Sequence, residues 1–85
     1  MKITPAMRKV LRAIHEWTLS HSYPPAIRDL CTVTGYTSTK TVWHHLLSLV
    51  ARGCIEVEPG LARTVRLTEA GREALMLDGG GGDGE

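Results

Sequence analysis

The sequence predicts a mainly α-helical fold with a small β-hairpin: a three-helix bundle, a two-stranded wing and a short C-terminal helix. Up to about residue 52, apolar residues recur at steps of three and four, the spacing of amphipathic helices. Residues 54–67 instead alternate between apolar and polar on both sides of a Pro-Gly turn, the pattern of two paired strands. With 85 residues, the chain has room for one such domain.

The first helix is expected from Thr4 to about Ser20. Thr4 can cap the helix start, and Pro5 suits the first helical position. The segment Tyr23-Pro24-Pro25 ends the helix, because a residue before proline avoids the helical region. The apolar stripe that we expect in the core comprises Ile3, Met7, Val10, Leu11, Ile14 and Trp17.

The second helix, from about Ala26 to Thr34, is short and weak by propensity. Ala26 is a poor cap, and the β-branched end of the helix loses side-chain freedom. Packing against neighbouring elements must therefore hold it in place. Gly35 is expected to end it, because glycine tolerates the left-handed backbone conformation.

The third helix is expected from its cap, Ser38, to about Arg52, with Gly53 as the terminator. At about 100° per residue, one face is apolar. That core face comprises Val42, Leu46, Leu49 and Val50. The opposite face carries small polar groups, one cation and one imidazole, where an ordinary solvated helix carries mixed Glu and Lys. Its residues are Lys40, Thr41, His44, Ser48 and Ala51.

The alternating segments Cys54 to Glu58 and Arg63 to Leu67 predict a hairpin with its turn at residues 59–62. Thr68 can cap a short final helix. Residues 79–85 contain no apolar group and cannot pack. We therefore expect a folded domain over residues 1–77 and a disordered, glycine-rich acidic tail over residues 78–85.

The composition favours a small binding module over an enzyme. A domain of roughly 75 residues has little room for a substrate pocket of about 300 Å³, so no small-molecule substrate is expected. Cys31 and Cys54 form neither a disulfide framework nor a zinc pair, and adjacent His44 and His45 diverge by about 100°. No cofactor, metal site or catalytic group is expected. No apolar run approaches the ~18 residues of a membrane span, and a cytoplasmic location is expected.

The net charge of +1 conceals an uneven distribution. Residues 1–67 carry nine basic and four acidic side chains, whereas residues 68–85 carry one basic and five acidic ones. The folded part is therefore basic and the C-terminal part acidic. A basic body favours a polyanionic partner.

The order of helix, short helix, glycine turn, helix and hairpin predicts a winged helix-turn-helix. In this arrangement the second helix braces the third, whose outer face can enter the major groove of double-stranded DNA. The wheel of the third helix selects Lys40, Thr41 and His44 for base contact, with Ser48 further along. Arg28 at the start of the second helix, and Arg63 and Arg66 on the wing, are candidates for the phosphate backbone. We expect Ser48 among the backbone contacts.

Three stretches of the chain resemble the DNA-binding domain of the LexA repressor family. They are the double proline in Tyr23–Leu30, the Ser-Thr-x-Thr-Val start of the third helix in Gly35–Leu46, and the Arg-Gly before the first wing strand in Leu49–Glu56. The resemblance covers about residues 3–67. It implies a bacterial or phage repressor that binds a palindromic operator as a dimer and occludes it. By this resemblance, the base-contacting positions are Ser38, Lys40, Thr41, Trp43 and His44.

Trp43 is the position on which the two lines of reasoning differ, because the wheel places it on the flank of the helix. Packing and DNA contact both remain open for it. His45 is expected to turn towards the core, and His15 and His21 to lie at the surface. Thr34 occupies a position that is usually aliphatic in the family.

The family also carries a self-cleaving domain with a Ser-Lys dyad, which serves as its main dimerisation surface. This chain ends before such a domain would fit, so the resemblance implies neither self-cleavage nor a defined dimer contact. The dipeptide Ala70-Gly71 matches the one cut in the family linker but lies in a predicted helix. Two alternatives remain: a winged-helix adaptor that binds proteins, and a piece of a longer repressor.

Overall fold

Four helices and a two-stranded antiparallel sheet follow one another along the chain in the computed structural model, which describes residues 3–58 and 64–83. The elements are α1 (Pro5–Ser20), α2 (Ile27–Thr34), α3 (Thr39–Ala51), β1 (Ile55–Glu56), β2 (Arg66–Leu67) and α4 (Glu69–Asp83). The predicted winged helix-turn-helix is therefore the observed fold. The hairpin β1–β2 is the wing, and α1 packs against the other three helices and β2.

Helix α1 begins as predicted. The Met7 amide donates a hydrogen bond of 3.1 Å to the Thr4 hydroxyl, and Pro5 is the first helical residue. Four residues of its apolar stripe are buried in the core: Met7, Val10, Leu11 and Ile14.

Trp17 is an exception to the predicted stripe, since it lies half-buried at the core's edge. Its indole stacks on the His21 imidazole with ring centroids 3.8 Å apart, and Tyr23 meets the indole edge-on at 6.0 Å. The helix ends one turn after Trp17, so fewer elements surround it than surround Ile14. His15 and His21 are likewise half-buried rather than fully at the surface.

Helix α2 compensates for its poor cap residue. Ala26 has no side-chain acceptor, but the Asp29 carboxylate accepts a hydrogen bond of 3.0 Å from the Ala26 amide. Gly35 closes the helix in the left-handed conformation, with φ of 86°. Thr34 is buried, and its hydroxyl donates a hydrogen bond of 2.6 Å to the Leu30 carbonyl within the helix.

Helix α3 starts at the predicted cap, because the Thr41 amide donates a hydrogen bond of 3.4 Å to the Ser38 hydroxyl. Gly53 follows the helix with φ of 76°. The predicted core face is confirmed at Val42, Leu46 and Leu49 and is wrong at Val50, which is 38% exposed. Val50 lies at the margin of that face near the helix end, where no other described element covers it fully.

The wing is short. Ile55 pairs with Leu67 and Glu56 pairs with Arg66, which leaves Ile55 buried and Glu56 exposed. Beyond the strands, the Glu58 amide donates a hydrogen bond of 2.9 Å to the Thr64 hydroxyl. The predicted turn and Arg63 lie outside the described residues.

Helix α4 is fastened to the wing by Thr68. The Thr68 amide donates to the Cys54 carbonyl at 3.0 Å, and its hydroxyl donates to the Gly53 carbonyl while accepting from the Gly71 amide at 3.1 Å. Gly71 is buried where a Cβ would lie 2.1 Å from the Cys54 carbonyl oxygen. The dipeptide Ala70-Gly71 is therefore part of a helix packed on the domain.

The end of α4 differs from the prediction, because the helix continues to Asp83 through six residues of the segment 78–85 that was expected to be disordered. Glycine costs about 1 kcal/mol relative to alanine in a helix but can adopt its dihedral angles. Once Thr68 has fixed the first turn, each further residue adds one hydrogen bond without a new nucleation cost.

Candidate nucleic-acid interface

The outer face of α3 is open to solvent. Lys40, Thr41 and His44 are all exposed, and Ser48 is partly buried. Together with His45, the first three residues line a shallow groove of about 300 Å³ on the helix surface. The groove contains an ammonium group, a hydroxyl and two imidazoles, and no acidic side chain lines it. It can therefore offer hydrogen-bond donors and positive charge to an anionic or base-edge partner.

The core fixes which side of α3 faces outwards. Val42, Leu46 and Leu49 are each 0% exposed and pack against α1 and α2. Rotating the helix enough to hide Lys40 would bring these three residues into water, at about 1.5–3 kcal/mol for each side chain. The orientation of the outer face is therefore a direct consequence of the apolar spacing in the sequence.

Ser38 is both the cap of α3 and an exposed residue next to its outer face. Its hydroxyl caps α3, and the side chain remains exposed beside Lys40 at the end of the helix that precedes the outer face. The hydroxyl can donate its own proton to a partner while accepting from the Thr41 amide. Capping and external contact are therefore chemically compatible at this residue.

Trp43 lies on the flank of α3, as the wheel predicted. It is 39% exposed and continues at helical spacing into Leu47, which is 48% exposed, and Val50, which is 38% exposed. We call Trp43, Leu47 and Val50 the apolar strip. It runs beside the polar outer face rather than across it.

The wing places Arg66 at the surface but gives it an acidic neighbour. Glu56 is directly opposite Arg66 in the sheet register, and both are exposed. Opposite charges at facing positions attract each other across a strand pair. A phosphate must therefore compete with Glu56 for this guanidinium group. The other wing candidate, Arg63, lies outside the described residues.

Arg28 is exposed in the first turn of α2. Its neighbour Asp29 faces the helix start, where its carboxylate accepts a hydrogen bond from the Ala26 amide. The α2 start therefore places an exposed guanidinium group at the element that precedes the outer-face helix.

A chain of side-chain contacts that the sequence does not predict connects α1 to α3. The Lys9 ammonium of α1 lies 5.0 Å above the centre of the Tyr36 ring, and that ring lies 5.6 Å from the His45 ring. These contacts link the surface of α1 to the α3 groove. More than two turns of α1 and the whole of α2 separate Lys9 from Tyr36 in sequence, so no local sequence pattern predicts their contact.

Within the described residues, no three His, Cys, Asp or Glu side chains gather in a way that could hold a metal ion. The described helices are also too short or too polar for any of them to cross a membrane.

Comparison with known proteins gives a consistent match. The family model "LexA DNA binding domain" matches residues 1–64. The chain is 38% identical over 68 residues to the LexA repressor of Limosilactobacillus fermentum, which is 80% of this chain and 33% of that protein. It is 35% identical over 66 residues to the LexA repressor of Limosilactobacillus reuteri, which is 78% of this chain and 32% of that protein.

The LexA repressor of Ligilactobacillus salivarius is 38% identical over 66 residues, again 78% of this chain and 32% of that protein. The chain therefore spans about a third of the length of the curated relatives it matches. The matched region contains α1 to α3, β1 and the residues that form the outer face of α3. With this match and the winged helix-turn-helix fold, the chain belongs to the LexA DNA-binding domain family.

Proposed function

We propose that this protein binds double-stranded DNA with sequence preference and represses transcription by occluding an operator. The observation that carries the proposal is the outer face of α3, where Lys40, Thr41 and His44 are exposed on a helix held by fully buried residues. An α-helix fits the major groove of B-DNA, and its N-terminal residues reach the base edges. The relatives that it matches are named repressors.

Base contacts are assigned to five residues at the start of α3: Ser38, Lys40, Thr41, Trp43 and His44. Lys40 suits the O6 and N7 acceptors of guanine, and the methyl group of Thr41 suits the thymine methyl. Trp43, on the flank of α3, offers a further apolar surface for contact with a thymine methyl group. The absence of an acidic side chain from the groove lining favours acceptors over donors on the bases that it reads.

Backbone contacts are assigned to Arg28, Ser48, Arg63 and Arg66. These residues would fix the position of α3 in the groove and contribute no direct sequence readout. Ser48 lies two turns along α3 from Thr41, nearer the C-terminal end of the helix. If two protomers bind a palindromic operator, their α3 helices lie about 34 Å apart, one turn of the duplex.

A second candidate function rests on the apolar strip. Trp43, Leu47 and Val50 expose contiguous apolar surface that a partner protein could cover, as expected of an adaptor. The two functions make different demands on α3. Binding of a protein partner should be lost in Leu47→Ser and unchanged in Lys40→Ala. DNA binding should instead be weakened by Lys40→Ala and unchanged by Leu47→Ser.

Selection of bound duplexes from a random pool tests the proposal. We expect enrichment of one motif, with inverted half-sites if the protein binds as a dimer. Affinity for the enriched duplex should fall with salt, with a slope of about −0.9 in log–log form for each phosphate neutralised. Absence of enrichment, together with a flat salt profile for binding to the unselected pool, would falsify the DNA-binding proposal and leave the adaptor function.

A further inference from the structure

A second cationic surface lies on α1, outside the site assigned above. Arg8, Lys9 and Arg12 line one shallow groove of about 210 Å³ with Pro5, which we call the α1 groove. At about 100° per residue, these four positions fall within an arc of roughly 100° on the side of α1 away from the core. The acidic residue of this face, Glu16, lies beyond the groove and does not line it.

The α1 groove is connected to the outer face of α3. The contacts of 5.0 Å and 5.6 Å place the Lys9 ammonium within about 11 Å of the His45 ring. His45 lines the α3 groove together with Lys40 and His44. The α1 groove therefore lies next to the α3 groove on the protein surface.

The spacing suits one duplex. Successive nucleotides of a B-DNA strand advance by about 3.4 Å along the helix axis, so two groups within about 11 Å of each other can face phosphates no more than a few nucleotides apart. Guanidinium groups match phosphate oxygens in two-pronged fashion, and a lysine ammonium serves as a point charge. The α1 groove carries both kinds of group on one helix face, with Lys9 and Arg12 exposed and Arg8 partly buried.

We propose that the α1 groove binds the phosphate backbone of the same duplex, just outside the base pairs that α3 reads. The inference rests on the proposed DNA-binding function and extends its footprint. Lys9 holds the central position, because its ammonium lies 5.0 Å from the centre of the Tyr36 ring, and that ring lies 5.6 Å from the His45 ring of α3. The occupant is DNA backbone rather than an acidic protein segment, since the α1 groove adjoins the α3 groove, to which the proposed function assigns the duplex.

The test compares Lys9→Gln with wild type on a selected site carrying ten flanking base pairs on each side. Loss of one phosphate contact should weaken binding about fivefold at 0.15 M salt and reduce the salt slope by about 0.9. Lys9→Arg should restore affinity. Arg72→Gln removes an equal charge from the exposed surface of α4 and should leave affinity near wild type. Thermal unfolding of each variant accompanies the binding measurement.

The DNA side gives an independent measurement on the unaltered protein. Methylphosphonate groups, which lack the charge, replace single phosphates within about three nucleotides of the half-site. One of them should weaken wild-type binding and have no effect on Lys9→Gln. A duplex trimmed to the half-sites should bind wild type and Lys9→Gln equally.

The contrary outcomes separate the two proposals. Equal affinity of wild type and Lys9→Gln for the long duplex overturns the α1 contact. Equal sensitivity of both proteins to every methylphosphonate does the same, and so does a Lys9→Gln defect that persists on the trimmed duplex. Failure of wild type to prefer any duplex contradicts the proposed function itself.

Discussion

Replacing Gly71 by alanine should destabilise this domain, although alanine is the better helix former. An alanine Cβ would lie 2.1 Å from the Cys54 carbonyl oxygen and 3.0 Å from its carbonyl carbon. Ordinary van der Waals contact needs at least 3.4 Å, so α4 must move away from the wing by about 1 Å. Both atoms belong to backbone, which cannot turn aside as a flexible side chain could.

The size of the effect follows from the contacts that this movement disturbs. The Thr68 amide bond to Cys54 and the Thr68 hydroxyl bond to Gly53 both cross the interface that opens. Overpacking costs about 1–3 kcal/mol and a weakened hydrogen bond about 0.5–1.5 kcal/mol, against about 1 kcal/mol gained in helix propensity. We expect a net loss of about 2 kcal/mol, which lowers Tm by about 10 °C in a domain of this size.

Urea unfolding followed by circular dichroism measures the change directly. Glu73→Ala is the matched control, because it alters an exposed position of the same helix and should change stability by less than about 0.5 kcal/mol. If Gly71→Ala is instead more stable than wild type by about 1 kcal/mol, the added Cβ meets no close neighbour and only the gain in helix propensity is observed. The close approach of α4 to the wing would then be wrong.

Three further changes test other parts of the structure. Thr34→Val should leave stability unchanged or raise it by up to about 1 kcal/mol in urea unfolding, because both partners of the 2.6 Å hydrogen bond lie in one helix and the apolar replacement fits the buried site; a loss above 1 kcal/mol contradicts this. Leu46→Ala should cost about 2–5 kcal/mol, since the side chain is 0% exposed, and much of the far-UV helical signal should be lost at 37 °C; a full native signal counts against the assigned core. Gly79→Ala should raise helical content, with up to about 1 kcal/mol gained in stability, because α4 continues to Asp83; an unchanged spectrum would restore the expected disordered tail.

The fold was largely predictable because its local signals agree with one another. Caps at Thr4 and Ser38, a left-handed glycine at Gly35 and apolar spacing in α3 all indicate the same helix limits. The outer face of α3 followed from the same spacing, since the positions opposite Val42, Leu46 and Leu49 must face water. Periodicity is a dependable guide where a helix is covered along one whole side.

The errors occur where coverage depends on distant elements. Trp17 and Val50 lie on the expected stripes, but each is near a helix end where neighbouring elements no longer enclose it. Apolar periodicity shows which face of a helix is buried, but it does not show how far along that face the neighbouring elements extend.

The missed features are contacts between residues far apart in sequence. The Lys9–Tyr36–His45 contacts and the approach of Gly71 to Cys54 both join elements that only the tertiary arrangement brings together. Neither has a signature in spacing or propensity. The proposed α1 contact could therefore be inferred only once the helices had been placed.

The affinity of Lys40→Ala for the selected duplex and for a random-sequence duplex tests the central claim most directly. If Lys40 reads a base from the outer face of α3, the variant should lose about 1–3 kcal/mol on the selected duplex and much less on the random one. An equal loss on both duplexes would reduce Lys40 to a phosphate contact. No loss on either would contradict the claim that this face of α3 enters the groove.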